Sequence, residues 1–211
     1  MGRSSTLARL ALETGRAHAQ IEEALLGPLD FPTTVGYRRF LCVFYGFQAP
    51  LESALTMTPG IDLDFVAMRA KAGRIASDLL SLGLTRHEHH LLARRQEIGP
   101  FENVAQAAGW MYSTERLMLQ VDAMRFRIES EMPVVIQLAN QFLYSCSNNA
   151  DMRWRQYGVM LDRLAKQYDV EEIVASACQS VQSLHGWLTQ QVVKPVANTD
   201  ERITQQQRAI A

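Results

Sequence analysis

Thr14, His18 and Glu22 recur every four residues, which sets a hydroxyl, an imidazole and a carboxylate along one side of a helix. His18 falls on the apolar stripe of that helix. An imidazole held there is either a packed core residue or an axial ligand to a metal cofactor. A second cluster, His87-Glu88-His89-His90, has metal-binding residue types but poor spacing. Adjacent histidines on a helix point in different directions, and only His87 and His90 share a face. No second ligand cluster accompanies them, so this segment is a solvated patch. The chain carries no phosphate loop, no nucleophile elbow and no paired Glu-x-x-His motif of a di-iron bundle.

The elements that must position these residues are helical almost throughout. Leu7, Leu10, Thr14, Ala17, His18, Ile21 and Leu25 form one stripe, ended by Gly27-Pro28. A second helix starts near Thr33 or Thr34 and carries Tyr37, Phe40, Leu41, Phe44, Phe47 and Leu51, with a kink or break expected at Pro50. A third spans roughly Asp64 to Leu82, with Gly83 past its end. Thr85 and Glu88 make a capping box for a short fourth helix. After Gly99-Pro100 a long helix runs from about residues 101–104 towards Glu131, stopped by Pro133. A sixth covers Val134 to about Cys146, and the polar turn 147–151 opens a seventh through Trp154, Tyr157 and Leu161. Asp169 and Glu172 open a last helix through Ile173, Val181 and Leu188. No alternating strand pattern, internal repeat or linker interrupts this. The expectation is one all-α domain over residues 1–195, a multi-helix bundle, with a polar tail over 196–211.

With 211 residues, 47% of them hydrophobic, the chain can bury a substantial core. A net charge of −1 gives no global field for nucleic acid, and no apolar run approaches the roughly 18 residues that span a bilayer. The start lacks the apolar region of a secretory signal, although Met1-Gly2 to Thr6 fits the short myristoylation pattern. Cys42, Cys146 and Cys178 are odd in number, far apart and set in apolar helical patterns. Buried free thiols in a reducing, cytoplasmic compartment follow.

Several segments in order carry a resemblance. Thr14-x-x-x-His18-x-x-x-Glu22 is followed by Tyr45-Gly46-Phe47-Gln48-Ala49-Pro50-Leu51-Glu52. Then come Asp78-Leu79-Leu80-Ser81-Leu82-Gly83, Gly109-Trp110-Met111-Tyr112-Ser113-Thr114-Glu115 and Trp154-Arg155-Gln156-Tyr157. Over residues 6–190 the chain resembles the haem oxygenase family, in particular its small bacterial, bacteriophytochrome-associated branch. The resemblance implies haem b sandwiched between a proximal helix bearing His18 and a distal helix near residues 109–125. His18 would give one ring nitrogen to the iron and Glu22 would hydrogen-bond the other, unless Glu22 is simply a solvated charge. Tyr112 and Arg116 lie on the distal helix. Arg9, Arg16, Arg153 and Arg155 are candidate partners for haem propionates. The implied partners are an electron donor (a reductase or ferredoxin) and a bacteriophytochrome that takes biliverdin.

The distal helix departs from the family. Its Gly-x-x-Leu-Gly-Gly element is Arg116-Leu117-Met118-Leu119-Gln120-Val121 here, so all three glycine positions carry side chains. Glycines let the backbone approach the iron, leave room for dioxygen and permit a kink. Their replacement disturbs the steric and hydrogen-bond control that haem self-hydroxylation needs. Gln120 could supply a distal donor or a weak sixth ligand. Three functions follow: an oxidoreductase cleaving haem to biliverdin, carbon monoxide and ferrous iron; a catalytically impaired carrier or sensor of haem or a linear tetrapyrrole; or a cofactor-free helical interaction module.

Overall fold

The computed structural model describes residues 4–26, 33–96, 98–147 and 149–193. Their regular structure is entirely helical, an all-α bundle, and no helix among them is long and apolar enough to cross a membrane. The expected stop at Gly27-Pro28 and the tail over 196–211 lie outside these residues.

Three helices make the centre: α1 (Ser5–Leu26), α6 (Val104–Leu117) and α11 (Val170–Val193), with α11 packed along both of the others. The stripe predicted on α1 faces inward, with Leu10, Thr14, His18 and Ile21 all buried. Asp162 holds the start of α1. Its Oδ1 accepts from Ser4 Oγ at 2.8 Å, Thr6 N at 3.1 Å and Thr6 Oγ1 at 2.7 Å, which places a carboxylate at the positive end of the helix. Helices α6 and α11 meet through small residues. A Cβ on Gly109 would strike the Ile173 carbonyl and the Ser176 side chain, and one turn on Ser113 Oγ lies 2.6 Å from Ser180 Oγ. The missing side chain at Gly109 brings the two backbones together.

The second helix, α2 (Thr34–Thr56), begins as expected with Thr33 accepting from Gly36 N at 3.0 Å. It continues through Pro50 without a break. A proline in a helix leaves the carbonyl four residues back without its donor. Here that carbonyl is Gly46 O, and the backbone N–H of Arg95 donates to it at 2.9 Å. Gly46 makes the approach possible, because a Cβ there would run into the Ala93 carbonyl and the Trp187 ring.

Two single helices expected from periodicity are each divided. Residues 64–82 form α3 (Leu63–Arg69) and α4 (Ala72–Ser81), and residues 134–146 form α8 (Pro133–Leu138) and α9 (Gln141–Ser147). A distant carboxylate explains each break. Glu52 Oε1 accepts from Lys71 N and from Ala72 N at 3.0 Å, at the start of α4. Asp78 accepts from Gln141 N at 3.0 Å and Phe142 N at 2.9 Å, at the start of α9. Each caps donors that an uninterrupted helix would have bonded internally. The ends predicted around Gly83 and Thr85 are present: Gly83 has φ +84°, and Thr85 and Glu88 form the reciprocal capping box of α5 (Arg86–His90). The long helix expected from residues 101–104 to Glu131 is α6 and α7 (Val121–Glu131), joined by a 3₁₀ turn over Met118–Gln120. The turn therefore interrupts the helix within a segment that has no glycine in it. The remaining helix, α10 (Ala150–Leu164), packs on α1 and α6.

Candidate functional site

His18 is wholly buried, on the side of α1 that faces α6. Its Nε2 lies 3.1 Å from the backbone oxygen of Ser113, so a proton there donates to that carbonyl. Its Nδ1 lies 3.4 Å from Glu22 Oε1 without making a hydrogen bond. The edge of the Tyr112 ring closes a third side, with ring centroids 6.2 Å apart. Burial pushes the His18 pKa below its ordinary value and the Arg116 charge adds to this, while the Ser113 carbonyl and Glu22 act the other way. The ring is a neutral, core-packed imidazole with Glu22 standing where a second proton would be accepted.

Above it runs a polar chain. Thr14 Oγ1 donates to the Leu10 carbonyl at 2.7 Å and lies 3.2 Å from Tyr112 Oη, which accepts from Arg116 Nη1 at 2.7 Å. Four predicted site residues (His18, Glu22, Tyr112 and Arg116) thus come together. Arg116, at the first of the replaced glycine positions, directs its guanidinium back along α6 to the tyrosine.

These residues do not fit a haem on His18 as they stand. An iron ligated by Nε2 would occupy the space of the Ser113 carbonyl, and a porphyrin would have to part α1 from α6, where His18 and Thr14 already touch Ser113 and Tyr112. No group of three His, Cys, Asp or Glu side chains among the described residues could hold a metal ion. The His89 ring is tilted against Tyr45 with centroids 4.7 Å apart, and its neighbour His90 lies edge-on to it.

The other predicted residues lie apart from His18 or engage elsewhere. Arg9 pairs with Glu171 at 2.6 Å on the surface, and Arg16 is exposed. Arg155 bonds the Asp151 carbonyl of its own helix at 3.2 Å. Gln120, proposed as a distal donor, ends the 3₁₀ turn half-buried, and Val121 after it is wholly buried. Arg153 donates to the Ser145 carbonyl at 3.3 Å and stands near a second buried constellation.

That constellation centres on Glu115. Glu115 is buried against Lys71, whose Nζ lies 2.7 Å from Oε1, and Arg69, whose Nε lies 3.4 Å from Oε2. Burial opposes ionisation of Glu115, but the charges of Lys71, Arg153 and Arg69 outweigh it and hold its pKa below the usual carboxylate range. The break between α3 and α4 turns Lys71 inward. Read as one continuous helix, the sequence gives no sign of this.

The three cysteines are unpaired, Cys146 buried and Cys42 and Cys178 half-buried. Burial pushes the Cys42 thiol up to about 11, leaving it a poor nucleophile at neutral pH. Comparison of the chain with models of known protein families and with curated proteins finds no match in either.

Proposed function

We infer that this chain is a non-catalytic, cofactor-free helical interaction module, whose scaffold resembles haem oxygenases but whose axial-ligand histidine has become part of the core. One observation carries this reading: the 3.1 Å contact between His18 Nε2 and the Ser113 carbonyl, which occupies the coordinating nitrogen with a backbone bond. Arg116 supports it, since a guanidinium bonded to Tyr112 fills a position that a haem-burning site keeps empty. Three unpaired cysteines suit a reducing cytoplasm.

A second reading keeps haem, with cleavage to biliverdin, carbon monoxide and ferrous iron, an external electron donor and transfer of product to a bacteriophytochrome. The position of Glu22 beside His18 Nδ1 favours it, because the same carboxylate would orient a ligating imidazole. It requires α6 to withdraw from α1.

Hemin titration of the purified protein, followed at the Soret band, separates the two. The expected result is no saturable band that depends on His18, with wild type and His18→Ala alike. A stoichiometric band lost in His18→Ala would overturn the cofactor-free reading. Biliverdin formed on adding a reductase would restore the enzyme.

A further inference from the structure

Away from His18, a half-open cavity of about 400 Å³ lies between the start of α3, the first turns of α6 and the second half of α10. That volume falls within the range of small-molecule sites, which runs from roughly 300 to 1,000 Å³. Ile61, Phe65, Val104, Met111, Met160 and Leu164 form the apolar part of its wall, and glutamine side chains add polar groups beside them.

The wall is held from behind. Phe65 carries the buried Arg69 guanidinium 3.8 Å from its ring centroid, and Arg69 is fixed in turn by Glu115 and by the Arg153 carbonyl at 2.8 Å. The Ala108 carbonyl behind the cavity accepts from Tyr157 Oη at 2.7 Å, which ties α6 to α10. A pocket whose walls are bonded in this way loses little ordering entropy on binding.

The rim carries one charge of each sign, Asp62 and Arg163. Asp62 is committed to its helix, accepting from Phe65 N at 3.0 Å. The Arg163 guanidinium, exposed on the α10 side, has no hydrogen-bond or ion-pair partner among the described residues. A guanidinium at the edge of an apolar recess recognises a carboxylate whose apolar body enters the recess.

We propose that this cavity binds a small amphipathic monocarboxylate, with its hydrocarbon or aromatic body against Phe65 and Met111 and its carboxylate on Arg163. The site does not involve His18.

Isothermal titration of the intact chain with 2-naphthoate tests the proposal, with 2-naphthylmethanol as the uncharged counterpart. Saturable one-to-one binding of the carboxylate is expected, at least about tenfold tighter than the alcohol. Arg163→Glu, an exposed change, should weaken naphthoate by a similar factor at unchanged thermal stability, and Arg163→Gln provides the same test should the reversal perturb the fold. Val159→Trp at the exposed rim should weaken both ligands by narrowing the mouth. No saturable binding, equal affinity for acid and alcohol, or full affinity in the Arg163 variants would overturn it.

Discussion

At the scale of single residues, His18 shows how far the sequence carries and where it stops. Its burial, its place on the apolar stripe and its pairing with Glu22 all follow from four-residue spacing. The partner of Nε2 does not, because Ser113 contributes a backbone oxygen and no side-chain pattern marks a carbonyl. The ring titrates below its ordinary value of 6.5 because it is buried and near Arg116. The unfolded chain therefore takes up a proton near 6.5 while the folded chain does not. Its stabilising contribution is complete above about 6.5 and is lost as pH falls from there towards the lower folded value. Denaturant unfolding at pH 7.5 and 5.5 should show a larger loss of stability in wild type than in His18→Gln, which keeps a donor for Ser113 without titrating. Equal losses would remove His18 from the account. Glu115 makes the opposite demand. Lys71→Met leaves a buried carboxylate short of its closest cation and should cost roughly 3–5 kcal/mol, measured by the same method, and adding Glu115→Gln should recover part of it.

Among the helices, what was legible depended on where each cap comes from. The start of α2 at Thr33, the capping box at Thr85 and the turn at Gly83 use residues beside the element they end, and all three are visible in sequence. The breaks before α4 and α9 are made by Glu52 and Asp78, which lie on other helices. Hydrophobic periodicity runs straight through both. Asp78→Ala should leave two amide donors of α9 without an acceptor and cost about 1–3 kcal/mol by denaturant unfolding, whereas Asp78→Asn should retain part of that stability. The division after α6 is hidden for a related reason: it is a 3₁₀ turn made without glycine, so no residue type marks it. Gly109→Ala should push α6 from α11 against the Ile173 carbonyl at a cost of roughly 1–3 kcal/mol. An unchanged melting temperature would show that the helices can part freely there.

Over the whole molecule, the all-α bundle was evident from pattern alone, while the candidate site was only half legible, since residues come together around His18 without leaving space for the group the pattern suggests. Putting glycine at positions 116, 120 and 121 tests that distinction. The triple variant should lose roughly 2 kcal/mol from helix propensity and more from the space left by the wholly buried Val121, and should gain no Soret band, because Ser113 still holds His18. A band appearing in it would show that the side chains, and not the α1–α6 contact, exclude haem. The repair of α2 at Pro50 has a further bearing on how the bundle comes apart. Its mid-helix carbonyl is satisfied by an amide some forty-nine positions later in the chain (Gly46 to Arg95), so α2 and the stretch after α5 form one cooperative unit. Protease cleavage between Leu91 and Arg95 should therefore be felt first not at the cut but in the middle of α2, where exchange of the amides flanking Gly46 would accelerate.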